Sequence, residues 1–299
     1  MGLLTVMDAV AKALAGALGT LQITGLRFAL TAVLAAGVAV LTRARWPQRA
    51  QWPSHAGRAA LMLLATACFF HALGRLPLVT VFALSLTAPL FMAGLAASLL
   101  GEPLGRGTRV ALALGAAGAV LVVAGVVVGE IGRVGPAGLH DHRVGPGSLD
   151  LFALACAVAA PVGYALSVVW LRQQTAARDA PDVAAVVALQ AAFATGLLGT
   201  LGAPLLMMDW RLPQGGWSAG LVLHIGALGG LATVGYLAFA AAVKRLPASR
   251  VAVIEYTGLV WAAALGWLWF AEAPTMWDVA GAVLVIAGCL QAARRSGGG

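Results

Sequence analysis

Charged side chains are scarce in this sequence of 299 residues, because Asp, Glu, Lys and Arg together make up 10% of it. A soluble protein carries about 25%. Apolar residues make up 61% of the chain, and a soluble globule of this size cannot hide so much apolar surface from water. The scarcity of charge therefore excludes a soluble enzyme and indicates that the chain is embedded in a lipid bilayer.

Other absences exclude further classes of function. The net charge is +8, yet no basic stripe with interleaved aromatic residues exists, so we expect no nucleic-acid partner. The few cysteines lie far apart in apolar segments, and two histidines near residue 141 match zinc spacing poorly, so we expect no metal. No GxxxxGK[ST] motif is present, which argues against a nucleotide cofactor and direct ATP drive. The first segment has no basic region of the kind that begins a cleavable signal peptide.

The apolar runs are predicted to be helices, because they lack the strict alternation of a membrane-spanning strand. About 20 apolar residues cross the roughly 30 Å hydrocarbon core of a bilayer. Breaks rich in proline, glycine and charge separate ten such runs. The predicted fold class is therefore an all-α polytopic membrane protein with ten transmembrane helices, at 2–18, 21–42, 57–74, 77–100, 107–128, 149–171, 183–208, 217–243, 247–270 and 274–293.

The basic residues predict an orientation. If the N-terminus is cytoplasmic, thirteen of the 19 lysines and arginines fall on the cytoplasmic side, four fall on the opposite side, and Lys12 and Arg27 fall inside spans. Cytoplasmic loops of membrane proteins carry such an excess of Lys and Arg. We therefore expect a multi-pass protein of a bacterial inner membrane with both termini in the cytoplasm.

The two halves of the chain align at an offset of 170 residues, so that Arg75-Leu76-Pro77 matches Arg245-Leu246-Pro247 and Glu102 matches Glu272. Each half holds five spans, an odd number, so the second half is predicted to insert in the opposite orientation. Inverted repeats around a midplane site are typical of secondary transporters. The predicted parts are a first five-helix repeat at 1–128, a connecting loop at 129–148, a second five-helix repeat at 149–293 and a short tail at 294–299.

Several local patterns resemble the drug/metabolite transporter superfamily, and specifically its EamA-type members. Pro89 in the fourth span is followed by Gly101-Glu102-Pro103, and the ninth span ends in Phe270-Ala271-Glu272-Ala273-Pro274. Lys12 and Arg27 are similar to basic residues that are common in the first two spans of that family. Most of the chain takes part in the resemblance.

The resemblance implies a carrier that moves a small metabolite by alternating access. The chain is similar to the branch that holds aromatic amino acid exporters, so the expected cargo is an amino acid, aromatic ones included. A carrier for S-adenosylmethionine-like or other nucleoside-type metabolites, or for drugs, is the alternative within the family. One departure is Leu259, which stands where a proline would mirror Pro89, so the halves are not expected to be equally kinked.

Charged and polar residues inside the spans are the candidates for binding, because they are costly in a bilayer. Asp8 and Lys12 lie four residues apart on one helix face, where they either neutralise each other or meet the cargo or a coupling proton. Arg27 either anchors its span by reaching the interface or binds a carboxylate or phosphate. Glu255 has no basic residue in the following turn, and its repeat mate is Ser85.

The resemblance places the cavity among spans 1–4 and 6–9, with spans 5 and 10 as buttresses. Tyrosines in these spans are further candidates, because a phenol in lipid needs a polar partner. The expected substrate-binding residues are Asp8, Lys12, Arg27, His71, Ser85, Pro89, Tyr164, Tyr236, Glu255 and Tyr256.

Two rival classes remain. An integral-membrane enzyme on lipid-linked substrates would need carboxylates or histidines clustered near one membrane face, whereas the acidic residues here are scattered. A channel would need rings of charge at a constriction. We therefore expect no enzyme, and the expected partners are a small-molecule substrate and the lipid bilayer. The sequence leaves the oligomeric state open and is compatible with a monomer.

Overall fold

A computed structural model describes residues 1–88, 90–92, 95, 106–133, 150–175, 180–213, 216–245 and 248–295, with the backbone alone described at several helix ends. Every regular element in these ranges is a helix. A short 3-10 turn at Arg49–Gln51 precedes α3. The helices are α1 (Gly2–Leu14), α2 (Thr20–Leu41), α3 (Trp52–Leu73), α4 (Leu78–Ser85), α5 (Arg106–Arg133), α6 (Leu151–Thr175), α7 (Val183–Thr200), α8 (Ala203–Met208), α9 (Ala219–Arg245), α10 (Ala248–Phe270) and α11 (Met276–Arg295).

Five of these helices are long and apolar enough to cross a membrane by length and composition: α2, α3 with its preceding turn, α6, α7 and α9. Shorter apolar helices account for the other predicted runs, so each predicted run contains a helix. The prediction of an all-α polytopic membrane protein is confirmed at this level.

Two predicted spans are interrupted. The run at 183–208 is divided by a turn at Leu201 and Gly202 into α7 and α8, because Pro204 favours a new helix start. The helix of the predicted fourth span, α4, ends at Ser85. The sequence explains this end, since the ring of a proline clashes with the carbonyl four residues earlier, and Ser85 lies four residues before Pro89.

Helix neighbours follow a twofold pattern. Helix α1 packs against α9 and α10, while α6 packs against α3 and α4. In the same way, α2 packs against α9, and α7 packs against α3. Matching helices also meet each other across the two halves, in the pairs α2–α7, α4–α10 and α5–α11.

Glycines allow α5 and α11 to approach closely. Gly118 and Gly281 face each other's backbone, and a methyl group added at either one would collide with the opposite helix. Small residues at such positions are typical of closely packed membrane helices. Gly226 and Gly230 differ from them, because they have open space beside them, whereas Gly229 lies against Leu30 of α2.

Candidate functional site

A cavity of about 140 Å³ lies between the two halves of the bundle. Helices α1, α2, α3 and α4 of the first half and α6 and α9 of the second half supply its walls. Polar side chains from both halves reach it within a largely apolar lining. The polar residues that line it are Asp8, Arg27, Thr66, Ser85, Tyr164 and Tyr236.

Arg27 of α2 is the most buried charge at this cavity, with 2% of its surface exposed. Its Nη1 donates to Oγ1 of Thr66 at 3.1 Å. Its guanidinium carbon lies 4.8 Å, 5.6 Å and 4.7 Å from the ring centroids of Phe28, Phe70 and Tyr236. Its Nε has no hydrogen-bond partner. Burial excludes the interpretation of Arg27 as an anchor that reaches the membrane interface, and its donors are only partly used.

Asp8 of α1 is the acidic group of the cavity, and 8% of its surface is exposed. Its carboxylate forms no ion pair with any side chain that the structure describes. The positive charge of Arg27 acts on it at a longer range. The cavity therefore contains one guanidinium and one carboxyl group, and neither forms an ion pair with a side chain that the structure describes.

Aromatic and thioether side chains form the remaining wall. Phe69 packs edge-on against Phe82, with 5.9 Å between ring centroids, and Tyr164 lies 6.3 Å from the ring of Phe239. Met62 completes this apolar surface beside the charges. Ser85 donates through its Oγ to the carbonyl of Val81 at 2.8 Å, so its hydroxyl proton is already used.

Lys12 does not reach the cavity and does not pair with Asp8. It binds Glu272 instead, with 2.6 Å between Nζ and Oε1, and its Nζ also donates to the carbonyl of Leu76 at 2.8 Å. The other carboxylate oxygen of Glu272 accepts a hydrogen bond from the backbone N–H of Leu78 at 2.9 Å. We call Lys12, Leu76, Leu78 and Glu272 the end clasp. It joins the end of α1, the start of α4 and the turn after α10.

The backbone explains how Glu272 comes to face Lys12. Ala271, directly after α10, has a φ of 55°, in the left-handed region that ends helices. This turn brings the backbone N–H of Glu272 within 2.9 Å of the carbonyl of Gly266. The side chain then points toward α1 and α4 rather than along the axis of α10.

The other predicted residues divide into two groups. His71 lies outside the cavity, where its ring packs edge-on against Phe152 at 4.9 Å and its buried Nε2 has no partner. Pro89 lies outside the described residues. Glu255 and Tyr256 belong to α10 by their backbone, and their side chains lie outside the described part of the chain.

Sequence reasoning missed Thr66, although it is the direct partner of Arg27. In the sequence, Thr66 is distinguished only by being a hydroxyl residue within an apolar run. Phe70 looks in the sequence like an ordinary core aromatic of an apolar run, whereas its ring lies 5.6 Å from the guanidinium carbon of Arg27. Together these residues form a site that can hold an anionic group at Arg27, a cationic group or proton at Asp8, and an apolar body between them.

Comparison with known proteins identifies similar chains. The model of the EamA-like transporter family matches residues 3–124 and 151–293. Two curated relatives carry the name pseudopaline exporter CntI and come from Pseudomonas aeruginosa strains UCBPP-PA14 and PAO1. Each is 26% identical to this chain, and the alignment covers 98% of this chain and 93% of the relative.

A solved crystal structure has a similar fold. Its TM-score is 0.62 at 21% sequence identity, and the match covers 99% of this chain and 96% of that chain. This likeness concerns the fold alone, because the identity is low. It extends over nearly the whole length of both chains, so the arrangement of the helices has an experimental counterpart.

Proposed function

Because the chain belongs to the EamA-like transporter family, we propose that it exports an amino acid, aromatic ones included, by alternating access through the central cavity. The observation that carries this proposal is the buried Arg27, stacked among three aromatic rings in a cavity that also contains Asp8. Its curated relatives are named exporters, which supports the direction.

The charges of the cavity match the two ends of an amino acid. A guanidinium binds a carboxylate through two parallel hydrogen bonds, and Arg27 has an unused Nε for this purpose. The carboxylate of Asp8 complements an ammonium group. In a site that excludes water, both interactions are stronger than at a surface. A cargo with only one of these charges would leave the other buried charge without a partner.

The apolar wall sets the size of the side chain. A cavity of about 150 Å³ lined by apolar groups can hold a benzene molecule, and the volume here is about 140 Å³. Phe69, Phe82 and Phe239 offer rings against which an aromatic side chain can pack edge-to-face or offset. The cavity is therefore suited to the ring of an aromatic amino acid, and the backbone groups of the cargo would face the charges.

We further propose that the fold is a pair of inverted five-helix repeats with ten crossings and cytoplasmic termini. The twofold pattern of helix neighbours supports this arrangement, as does the 170-residue offset between matching segments of the sequence. The cavity lies where the two halves meet. If each half can adopt the conformation of the other, the cavity would open alternately to each side of the membrane.

Counterflow in proteoliposomes tests the function. Vesicles loaded with unlabelled phenylalanine are expected to accumulate labelled phenylalanine transiently and with saturation. Asp8→Asn is expected to lose most of this uptake, because an ammonium group loses its counter-charge, while Asp182→Asn, a partly buried control outside the cavity, retains it. Ohmic current would indicate a channel, formation of a new compound would indicate an enzyme, and absence of uptake for all amino acids would contradict the proposal.

A further inference from the structure

A second group of polar side chains is buried at the start of α3, outside the cavity. Arg58 and His55 have 3% and 1% of their surfaces exposed. Nearby, Ser54 accepts hydrogen bonds at 3.0 Å from both Nε1 of Trp170 and Nε2 of Gln174, which belong to α6. None of these residues lines the central cavity.

Several polar atoms of this group have no partner. Nε and Nη2 of Arg58, Nδ1 of His55 and Oε1 of Gln174 are fully enclosed and form no hydrogen bond. Arg58 forms no ion pair within the described ranges. A buried guanidinium without a counter-charge costs several kcal/mol. Such a group is retained in a membrane protein chiefly where it has a functional role.

No acidic side chain that the structure describes forms an ion pair with Arg58. Asp8 lies in the cavity, and every other one is already bound. Their partners are Arg75 for Asp150, the backbone N–H of Arg45 for Asp182, the backbone N–H of Leu21 for Asp209, Lys12 for Glu272, and Thr80 and Thr275 for Asp278. The protein therefore supplies no described carboxylate to this guanidinium.

The position of Arg58 relates it to the cavity. Arg58, Met62 and Thr66 follow one another at intervals of four residues, so they lie along one face of α3. Met62 and Thr66 line the cavity, and Thr66 is the partner of Arg27. Eight residues of helix correspond to about 12 Å. One helix face thus leads from the Arg27 site to a second incompletely paired guanidinium.

We propose that Arg58 is a second binding site for the carboxylate of the cargo, occupied when this end of the bundle opens, and that the carboxylate passes from Arg58 to Arg27 along α3. The inference rests on the proposed function in that the cargo carries a carboxylate. In the predicted orientation the start of α3 faces the cytoplasm, so Arg58 receives the cargo before export. The phosphate of an anionic lipid offers similar oxygen ligands, and the test separates the two sources.

Thermal stability gives the first test, and it does not depend on transport. If Arg58 is unpaired in the empty protein, Arg58→Met removes a buried charge and is expected to raise the Tm of the purified protein by a few degrees. Arg49→Met, at an exposed position at the same end, is expected to leave Tm unchanged. A lower Tm for Arg58→Met would show that the side chain has a stabilising partner and would overturn the proposal.

Benzoate serves as a minimal carboxylate in the second test. With Arg27→Met removing the central site, benzoate is still expected to raise the Tm, and this shift is expected to vanish in the double variant Arg27→Met/Arg58→Met. An equal shift in both variants would overturn the assignment of Arg58. This measurement remains decisive even if wild-type protein transports no phenylalanine, which would contradict the proposed function instead.

Transport kinetics complete the test. In vesicles of phosphatidylcholine alone, Arg58→Met is expected to raise the KM for phenylalanine at least tenfold at the face where α3 begins and less than twofold at the opposite face. Arg58→Lys, which keeps the charge, is expected to recover part of the loss. An unchanged KM, or an equal rise at both faces, would overturn the proposal. So would a defect that appears only in vesicles containing phosphatidylglycerol, because the ligand would then be lipid.

Discussion

Replacing Lys12 by methionine is expected to loosen the end of the bundle where the end clasp joins α1, α4 and the turn after α10. Lys12 joins α1 to two other segments, the turn after α10 and the start of α4. Its Nζ lies 2.6 Å from Oε1 of Glu272 and 2.8 Å from the carbonyl of Leu76. Methionine preserves the length of the side chain and removes both contacts. Glu272 would keep only the hydrogen bond from the N–H of Leu78.

The size of the expected free-energy loss follows from how deeply the Lys12–Glu272 ion pair is buried. The side chains of Lys12 and Glu272 are 11% and 25% exposed, so solvent screens the ion pair only in part. Hydrogen bonds to charged groups contribute about 1.5–3 kcal/mol, and partial exposure places the loss near the lower half of this range, at about 2 kcal/mol. That corresponds to a shift of roughly 30-fold in favour of the open end, and to a Tm lower by roughly 4–8 °C.

Access to the cavity gives the assay. Ser85 lines the cavity, so Ser85→Cys in a variant without the native cysteines can be labelled by a maleimide that does not cross the membrane. Lys12→Met is expected to accelerate labelling from the face of the end clasp, and Lys244→Met, at an exposed position, is expected to have no effect. Equal labelling rates and equal Tm values for Lys12→Met and the parent would refute the assignment of the end clasp as a closure.

Two further predictions concern stability. Gly118→Leu is expected to lower the Tm strongly, because its side chain would overlap the backbone of α11 at Gly281. Gly226→Leu is the control and should leave the Tm unchanged, because there is open space beside Gly226. Equal effects of the two substitutions would contradict the close packing of α5 and α11. Partial burial acts to raise the pKa of Asp150, but the N–H of Ala153 and the charge of Arg75 lower it overall. Its stabilising effect is therefore present above about pH 4 and lost as pH falls through the lowered pKa. Asp150→Asn should reduce stability by about 0.5 kcal/mol at pH 6, and Tm measured against pH should show this difference shrinking as the pH falls below about 4. A difference that does not change with pH would contradict this assignment.

The sequence predicts the helices well because their signal is local. Apolar runs and their breaks locate each helix, and the proline at position 89 accounts for the end of α4 at Ser85. The same local reasoning paired Asp8 with Lys12, four residues away on one face. It could not find Glu272, because that contact joins residues 260 positions apart and depends on the left-handed turn at Ala271.

The candidate site shows a similar division. Rarity in an apolar span was enough to select Asp8 and Arg27, and both line the cavity. The same rule gave no reason to select Thr66, whose importance comes only from its hydrogen bond to Arg27. Arg58 is one of the thirteen basic residues that the orientation places on the cytoplasmic side, yet its side chain is buried, and its Nε and Nη2 have no hydrogen-bond partner in the described part of the chain. Burial depends on the packing of α3 with distant helices, which a single sequence does not reveal.

The most direct measurement of the central claim is phenylalanine counterflow by wild-type protein and by Arg27→Met, with phenylalanine amide as a second cargo. The amide keeps the ring and the ammonium group but has no carboxylate. We predict that wild-type protein prefers phenylalanine to the amide by roughly a hundredfold in kcat/KM, and that Arg27→Met abolishes this preference, since about 3 kcal/mol of charged hydrogen bonding is lost. A wild-type protein that carries both compounds equally, or an Arg27→Met variant that retains the preference, would contradict the assignment of Arg27 as the carboxylate-binding group.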